Sequence, residues 1–187
     1  MQQAAGRRGT AKVPGVDLVE LGRRVYTTAH LTGEFVLRSG QTTNEYFDKY
    51  RFEADPVLLD EIAAAMVPLV PAGTEVLAGL EMGGIPVVTA LGRHTGLPCA
   101  FVRKQAKPYG TRRLAEGADT NGRRVTIVED VVTTGGQIVL STNELRTRGA
   151  TITDALCVIN RNPTTPTPLT QTGLTLHSLL TPDHLTP

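Results

Sequence analysis

The stretch TIVEDVVTTGGQ, residues 126–137, places two adjacent carboxylates, Glu129 and Asp130, at the end of an apolar run and follows them with two threonines and two glycines. Glycines after a strand let the backbone curl. A helix starting near Gly136 turns its unpaired N–H groups and the positive end of its dipole into that curl. Such a cradle suits a phosphate, with Thr133 and Thr134 adding hydroxyl donors. The pattern GxxxxGK[ST] does not occur, so this is not the nucleoside triphosphate loop of that class. In a regular strand Glu129 and Asp130 face opposite sides, so both are expected to reach one ligand only if the strand has ended. Paired carboxylates accept hydrogen bonds from a vicinal diol. A ligand with ribose hydroxyls at one end and a phosphate one sugar carbon away satisfies both halves, whereas a solvated acidic strand end with an ordinary glycine turn leaves their register unexplained.

The surrounding sequence alternates strand and helix signals. Residues 16–31 read as an imperfect helix, and EFVLRSG and EYFDKYRF as two extended segments joined by a turn. Asp55 and Pro56 are an N-cap and first helical residue for a helix to about Val67, stopped near Pro68. TEVLAGL is a short strand running into the glycine-rich turn GLEMGGIP. Pro86 opens the next helix, which ends at Gly96, and PCAFVRK is a further strand. RRVTIVED, the TTGG turn, QIVLSTNELRTRG and TITDALCVIN repeat the order strand, loop, helix, strand. This predicts an α/β fold with a largely parallel sheet whose ligand loops lie at the carboxyl ends of the strands. Residues 1–15 are small, basic and lack apolar periodicity, and are expected to be a disordered tail. Residues 16–187 are expected to form a single domain, the Thr/Pro-rich stretch after Pro163 leading to a last strand or short helix over LTLHSLL.

Composition narrows the function classes. Hydrophobic residues make up 40% of the 187, and Lys plus Arg number 19 against 18 Asp plus Glu. The balance predicts neither a nucleic-acid nor a membrane partner. Cys99 and Cys157 lie in apolar runs, and no signal-type or membrane-length segment stands out, which points to a reduced, cytoplasmic setting and structural thiols. His30, His94, His177 and His184 lack metal-ligand spacing and read as structural or surface residues.

VTIVEDVVTTGGQ resembles the phosphoribosyl pyrophosphate motif of the type I phosphoribosyltransferases, whose fold is a mostly parallel sheet flanked by helices with a small N-terminal hood, here about residues 16–52. The resemblance implies that Glu129 and Asp130 hold the ribose hydroxyls, that Thr133, Thr134, Gly135 and Gly136 cradle the 5′-phosphate, and that Val131 and Val132 are also among the phosphoribosyl pyrophosphate contacts. FVRKQAKPYGTRRLAEG resembles the catalytic loop of the orotate phosphoribosyltransferases. By that resemblance Arg103, Lys104 and Lys107 contact pyrophosphate, partly from the neighbouring subunit of a homodimer, and with Asp130 make up the catalytic set. Tyr109 joins the phosphoribosyl pyrophosphate contacts where a histidine is frequent. FVLRSGQTTNEYFDKY is similar to the same family's N-terminal segment, which places Arg38 and Tyr46 at the orotate. Arg161, in VINRNP, matches the arginine that reads the orotate ring, and Thr133 also touches it. A planar guanidinium suits a fixed array of carbonyl and carboxylate oxygens.

GLEMGGIP is similar to the family's pyrophosphate loop, with Gly83 where some members carry lysine. Mg²⁺ is the implied cofactor, held mainly by substrate oxygens, with no protein ligand assigned. The activity implied is transfer of phosphoribosyl from phosphoribosyl pyrophosphate to orotate in pyrimidine biosynthesis. Alternatives are transfer to another base or an orotate analogue, or a non-catalytic sensor of phosphoribosyl pyrophosphate. A sensor that regulates transcription would usually carry a winged-helix segment or basic face, and this balanced chain shows neither.

Overall fold

The computed structural model describes residues 15–37, 39–105, 113–163 and 168–186. Helix α1, Leu18–Ala29, starts at Asp17, whose Oδ1 accepts from the N–H groups of Val19 and Glu20 at 3.0 and 3.2 Å. Leu21, Val25 and Ala29 recur at helical spacing and are buried. The helix stops short of the expected Leu31, because His30 opens strand β1, His30–Val36, which pairs antiparallel with β2, Thr42–Phe47, in a separate two-stranded sheet. The extended segment expected over EYFDKYRF also ends early. Asp48 caps helix α2, Lys49–Ala54, by accepting from the Tyr50 N–H at 3.2 Å, and Phe52 and Glu53 turn inward from it. A carboxylate cap and a buried aromatic outweigh the strand preference of Tyr and Phe here.

Asp55 caps α3, Pro56–Met66, with Pro56 in the first turn, as the sequence predicts. Strand β3, Val76–Leu80, leads through residues 81–83 into α4, Gly84–Thr95. This helix begins two residues before Pro86, which is tolerated because N–H groups of a first turn have no intrahelical partner. Strand β4, Cys99–Val102, is followed by β5, Ala115–Gly117, a short antiparallel partner that the sequence reading did not anticipate. The remaining elements are β6, Arg124–Val132; α5, Gly136–Thr147; β7, Thr151–Asn160; α6, Pro168–Gln171; and β8, Thr175–Leu180, which settles LTLHSLL as a strand.

The main sheet has the order β5-β4-β3-β6-β7-β8 and is parallel except for β5. One face buries Leu77, Val128, Leu156 and Val158 against Leu58, Ile62 and Met66 of α3 and Val87, Val88 and Leu91 of α4. The other buries Ala78, Leu80, Ile127 and Cys157 against Ile138 and Leu145 of α5 and Leu169 of α6. Cys157 is wholly buried, and Cys99 Sγ donates to the Val88 carbonyl at 3.3 Å. Burial pushes both thiols up, consistent with structural cysteines. No helix among the described residues is long and apolar enough to cross a membrane.

From the central pair the connections diverge: β3 proceeds to β4 on one side, β6 to β7 and β8 on the other. The carboxyl ends of β3 and β6 thus flank a topological switch, the crevice where such sheets bind ligands. The sharp entry into α3 depends on its cap. Asp55→Ala is expected to cost about 1 kcal/mol, read as a lowered urea midpoint at unchanged m-value.

Candidate active site

Two loops meet at the switch. Residues 81–83 leave β3, with a cis peptide between Glu81 and Met82, and residues 133–135 leave β6. Gly135 has φ +76°, the left-handed conformation that brings the chain from β6 into α5, and a Cβ built there lies 2.8 Å from Leu169 Cγ. Thr133 and Thr134 are exposed just before the helix N-terminus, the arrangement expected of a phosphate cradle. The end of β7 braces the loop: the Arg161 N–H donates to the Val132 carbonyl at 2.8 Å, and Asn162 Nδ2 donates to the Thr133 carbonyl at 3.1 Å.

The carboxylates depart from the sequence expectation. The strand does not end before them, since β6 continues in register with β7 through Val132. Asp130 has no exposed surface, whereas Glu129 is half-buried and folds back so that its Oε1 accepts from the Asp130 N–H at 3.2 Å. The side chains still form one electrostatic unit, joined from α2 by Lys49 and Glu53. Lys49 Nζ lies 2.5 Å from Asp130 Oδ2, and Asp130 Oδ1 accepts from the Val131 N–H at 2.6 Å. Burial, followed by the hydrogen bond and negative charge of Asp130, pushes the Glu53 and Glu129 carboxyls up to about 9. Burial would also raise Asp130, but hydrogen bonds from Glu129, Glu53 and Lys49 outweigh it and hold that carboxyl below its ordinary value. Negative charge therefore concentrates on Asp130. Glu53 Oε1 and Asp130 Oδ2 are buried without a well-directed donor, and a proton held on Glu53 and shared with Asp130 satisfies both.

Across the crevice, Tyr26, His30, Leu37, Thr43, Glu45, Tyr46, Phe47 and Arg161 line a cavity of about 380 Å³. The structure thus brings Arg161 and Tyr46 together, as the resemblance implies. The Arg161 guanidinium carbon lies 5.0 Å from the Phe47 ring centroid, and Tyr46 packs against Phe35 at 5.4 Å between ring centroids. His30, structural by its stacking on Tyr26 at 4.7 Å and with Nε2 3.6 Å from Glu45 Oε2, also lines this wall. Sequence spacing held no signal for it, because α1 and the hairpin meet only in the fold. The other histidines fit their structural reading: His94 contacts Asp60, His177 contacts Asp154, and His184 caps its own turn through Thr181.

Arg103 and Lys104 follow β4 on the same carboxyl edge. Arg103 Nε is 3.9 Å from Glu116 Oε1, and the Lys104 N–H donates to Glu81 Oε1 at 3.0 Å. Among the described residues, no hydrogen bond or ion pair links these two to residues 129–136. Arg38, Lys107 and Tyr109 lie outside the described residues.

A Gly-Gly turn at a helix N-terminus, acidic residues at the preceding strand end and an arginine from the next strand define a phosphoribosyltransferase class of site. The family model of the phosphoribosyl transferase domain matches residues 54–176. An orotate phosphoribosyltransferase of Nocardioides sp. is 50% identical over 161 residues, covering 86% of this chain and 90% of that protein. One from Methanocella arvoryzae is 39% identical, covering 88% and 93%. The crystal structure of the Mycobacterium tuberculosis H37Rv orotate phosphoribosyltransferase superposes with a TM-score of 0.79 at 28% identity, covering 91% of this chain and 99% of that one. The chain belongs to the orotate phosphoribosyltransferase family.

Gly83 closes the site from the β3 side. A Cβ there would stand 1.8 Å from Asp130 Oδ2 and 3.0 Å from Glu53 Oε1. Gly83→Ala is expected to displace the Asp130 carboxyl at an overpacking cost of about 1–3 kcal/mol, measured by urea denaturation. Unchanged stability would mean that the turn relaxes around the methyl group.

Proposed function

We propose that this chain transfers the phosphoribosyl group of 5-phosphoribosyl 1-pyrophosphate to orotate, giving orotidine 5′-monophosphate and pyrophosphate in pyrimidine synthesis. The observation that carries this reading is the cavity in which Arg161 lies over Phe47 beside Tyr46, one strand away from the Glu129–Asp130 motif. Orotate offers a carboxylate and ring carbonyls for a bidentate guanidinium and a flat π face for the aromatics.

Glu129 and Asp130 accept from the ribose hydroxyls, while Thr133, Thr134 and the amides at the start of α5 hold the 5′-phosphate. The 81–83 turn faces the pyrophosphate. The ring nitrogen of orotate then forms a bond to C1′ of the ribose as the bond to pyrophosphate oxygen breaks, the electron pair leaving with pyrophosphate and the ring N–H proton passing to solvent or to a pyrophosphate oxygen. Holding the reactants in line and neutralising the departing charge are the main tasks. Arg103, Lys104 and Lys107 serve the second task and, closing over the site with Tyr109, exclude water. Arg38 reaches orotate. The full enzyme is a cytoplasmic homodimer in which this loop is shared, and residues 16–187 make up its catalytic unit.

Among the described residues no group of three His, Cys, Asp or Glu side chains can hold a metal ion, and Asp130 is engaged by Lys49. Mg²⁺ entering with the substrate would have the carboxyl oxygens of Glu129 and Asp130 nearby and would spread the charge of the leaving group.

Mixing protein, Mg²⁺ and phosphoribosyl pyrophosphate should consume orotate, followed by its absorbance, but not uracil or hypoxanthine, and not without metal. Phosphoribosyl pyrophosphate binding without orotate turnover would refute the assignment. Arg161→Met should raise the orotate KM at least about tenfold, the loss of roughly one charged hydrogen bond, and Lys107→Ala should lower kcat. A diol needs ionised acceptors, and Glu129 in the free protein stays protonated up to about 9. Binding should therefore release protons at pH 8, and affinity should climb as pH approaches that value. Calorimetry in two buffers of different ionisation enthalpy measures this, and proton uptake at pH 8 would count against it.

A further inference from the structure

We propose that Lys49 is a positioning residue for phosphoribosyl pyrophosphate: helix α2 carries its ammonium to Asp130 and so fixes the carboxylate that accepts the ribose diol. This rests on the reading of residues 129–136 given above and adds a residue from outside that motif.

Lys49 opens α2, and Glu53 follows one turn later on the same face. Both side chains converge on Asp130, Lys49 through the 2.5 Å ion pair and Glu53 through a carboxyl–carboxylate contact. The Gly83 turn approaches from the other side, so closely that a methyl group there would overlap Asp130 Oδ2. Three chain segments thus meet at one buried carboxyl group. Among the described residues, Lys49 is the one cation ion-paired with Glu53, Glu129 or Asp130.

The exposures differ in a telling way. The Asp130 side chain is 0% exposed and that of Lys49 is 32% exposed. Lys49 is therefore partly open to solvent while its partner is not, and its Nζ also lies 5.2 Å from the Tyr50 ring centroid as a second hold. Asp130 must remain ionised to share the ribose hydroxyls with Glu129, and a buried carboxylate that loses this cation either takes up a proton or turns away. In both cases an acceptor for the diol disappears. Without Lys49 the charge on Asp130 would also stand unbalanced against a ligand carrying several negative charges. The acceptor base is bound across the crevice around Arg161 and touches neither Lys49 nor Asp130 in this arrangement, so the effect should separate by substrate.

The test compares the wild type with Lys49→Met and Lys49→Arg, using calorimetric titration of Mg²⁺–phosphoribosyl pyrophosphate without orotate and steady-state kinetics with both substrates. Lys49→Met should raise Kd and KM for phosphoribosyl pyrophosphate about tenfold or more, leave the orotate KM within about twofold, and be largely rescued by Lys49→Arg. Equal rises in both KM values, an unchanged Kd, or no rescue by arginine would overturn the proposal. Circular dichroism checks folding; should Lys49→Met not fold, Lys49→Gln, which retains a donor without the charge, is held to the same criteria. Wild-type protein that fails to bind phosphoribosyl pyrophosphate would refute the reading of the motif itself, whereas binding without orotate turnover would refute only the acceptor.

Discussion

Asp130 sits near the end of β6 with no exposed surface, and a carboxylate in that position is tolerable only with positive charge and proton donors gathered around it. The fold supplies Lys49 from α2, the Val131 N–H, and the protonated carboxyls of Glu53 and Glu129. Each donor imposes a constraint elsewhere. The cation requires α2 to lie against the sheet edge, and the close approach of β3's loop requires a residue without a side chain at 83. The need to satisfy one charge therefore ties the N-terminal segment, the central strand pair and the loop between them into one unit.

That tie explains why the two halves of the site face each other. α1, β1, β2 and α2 form a wall in front of the sheet, and α2 anchors it at Asp130. The hairpin then stands over the end of β7, where Phe47 and Arg161 meet. A planar acceptor between Tyr46, Phe47 and Arg161 would lie close to the motif loop, because Arg161 is itself hydrogen-bonded through its backbone to Val132. The cavity around Arg161 and the loop after β6 are separated by one strand spacing and share one frame.

The sheet was readable from sequence because parallel, doubly covered strands leave near-continuous apolar runs, as in TIVEDVV and ALCVIN, and because Asp55-Pro56 and Gly-Gly punctuate the helices. The left-handed turn at Gly135 into α5 was readable for the same local reason. What escaped was set by contacts distant in sequence. Lys49 and Glu53 look like ordinary charged residues of a presumed strand until Asp48 caps a helix there. His30 looks isolated until α1 turns into the hairpin. The short β5 has three residues and almost no apolar signal, and it exists because β4 offers it an edge. The Glu129–Asp130 pair stands out in the sequence, but its geometry does not, since strand alternation says nothing of a glutamate that folds back on its neighbour's N–H.

Leu169 gives the C-terminal segment a role that its composition conceals. This side chain is 1% exposed and packs so closely on Gly135 that no Cβ fits between them. The floor of the cradle is thus laid by β6 and α5, but its outer buttress is contributed by a one-turn helix more than thirty positions later in the sequence. A chain ending after β7 would retain every residue of the sugar-phosphate motif and lose the surface that keeps the left-handed bend at Gly135 pressed into shape. Helix α6, Pro168–Gln171, is in this sense a part of the loop's architecture that the sugar-phosphate motif alone does not contain.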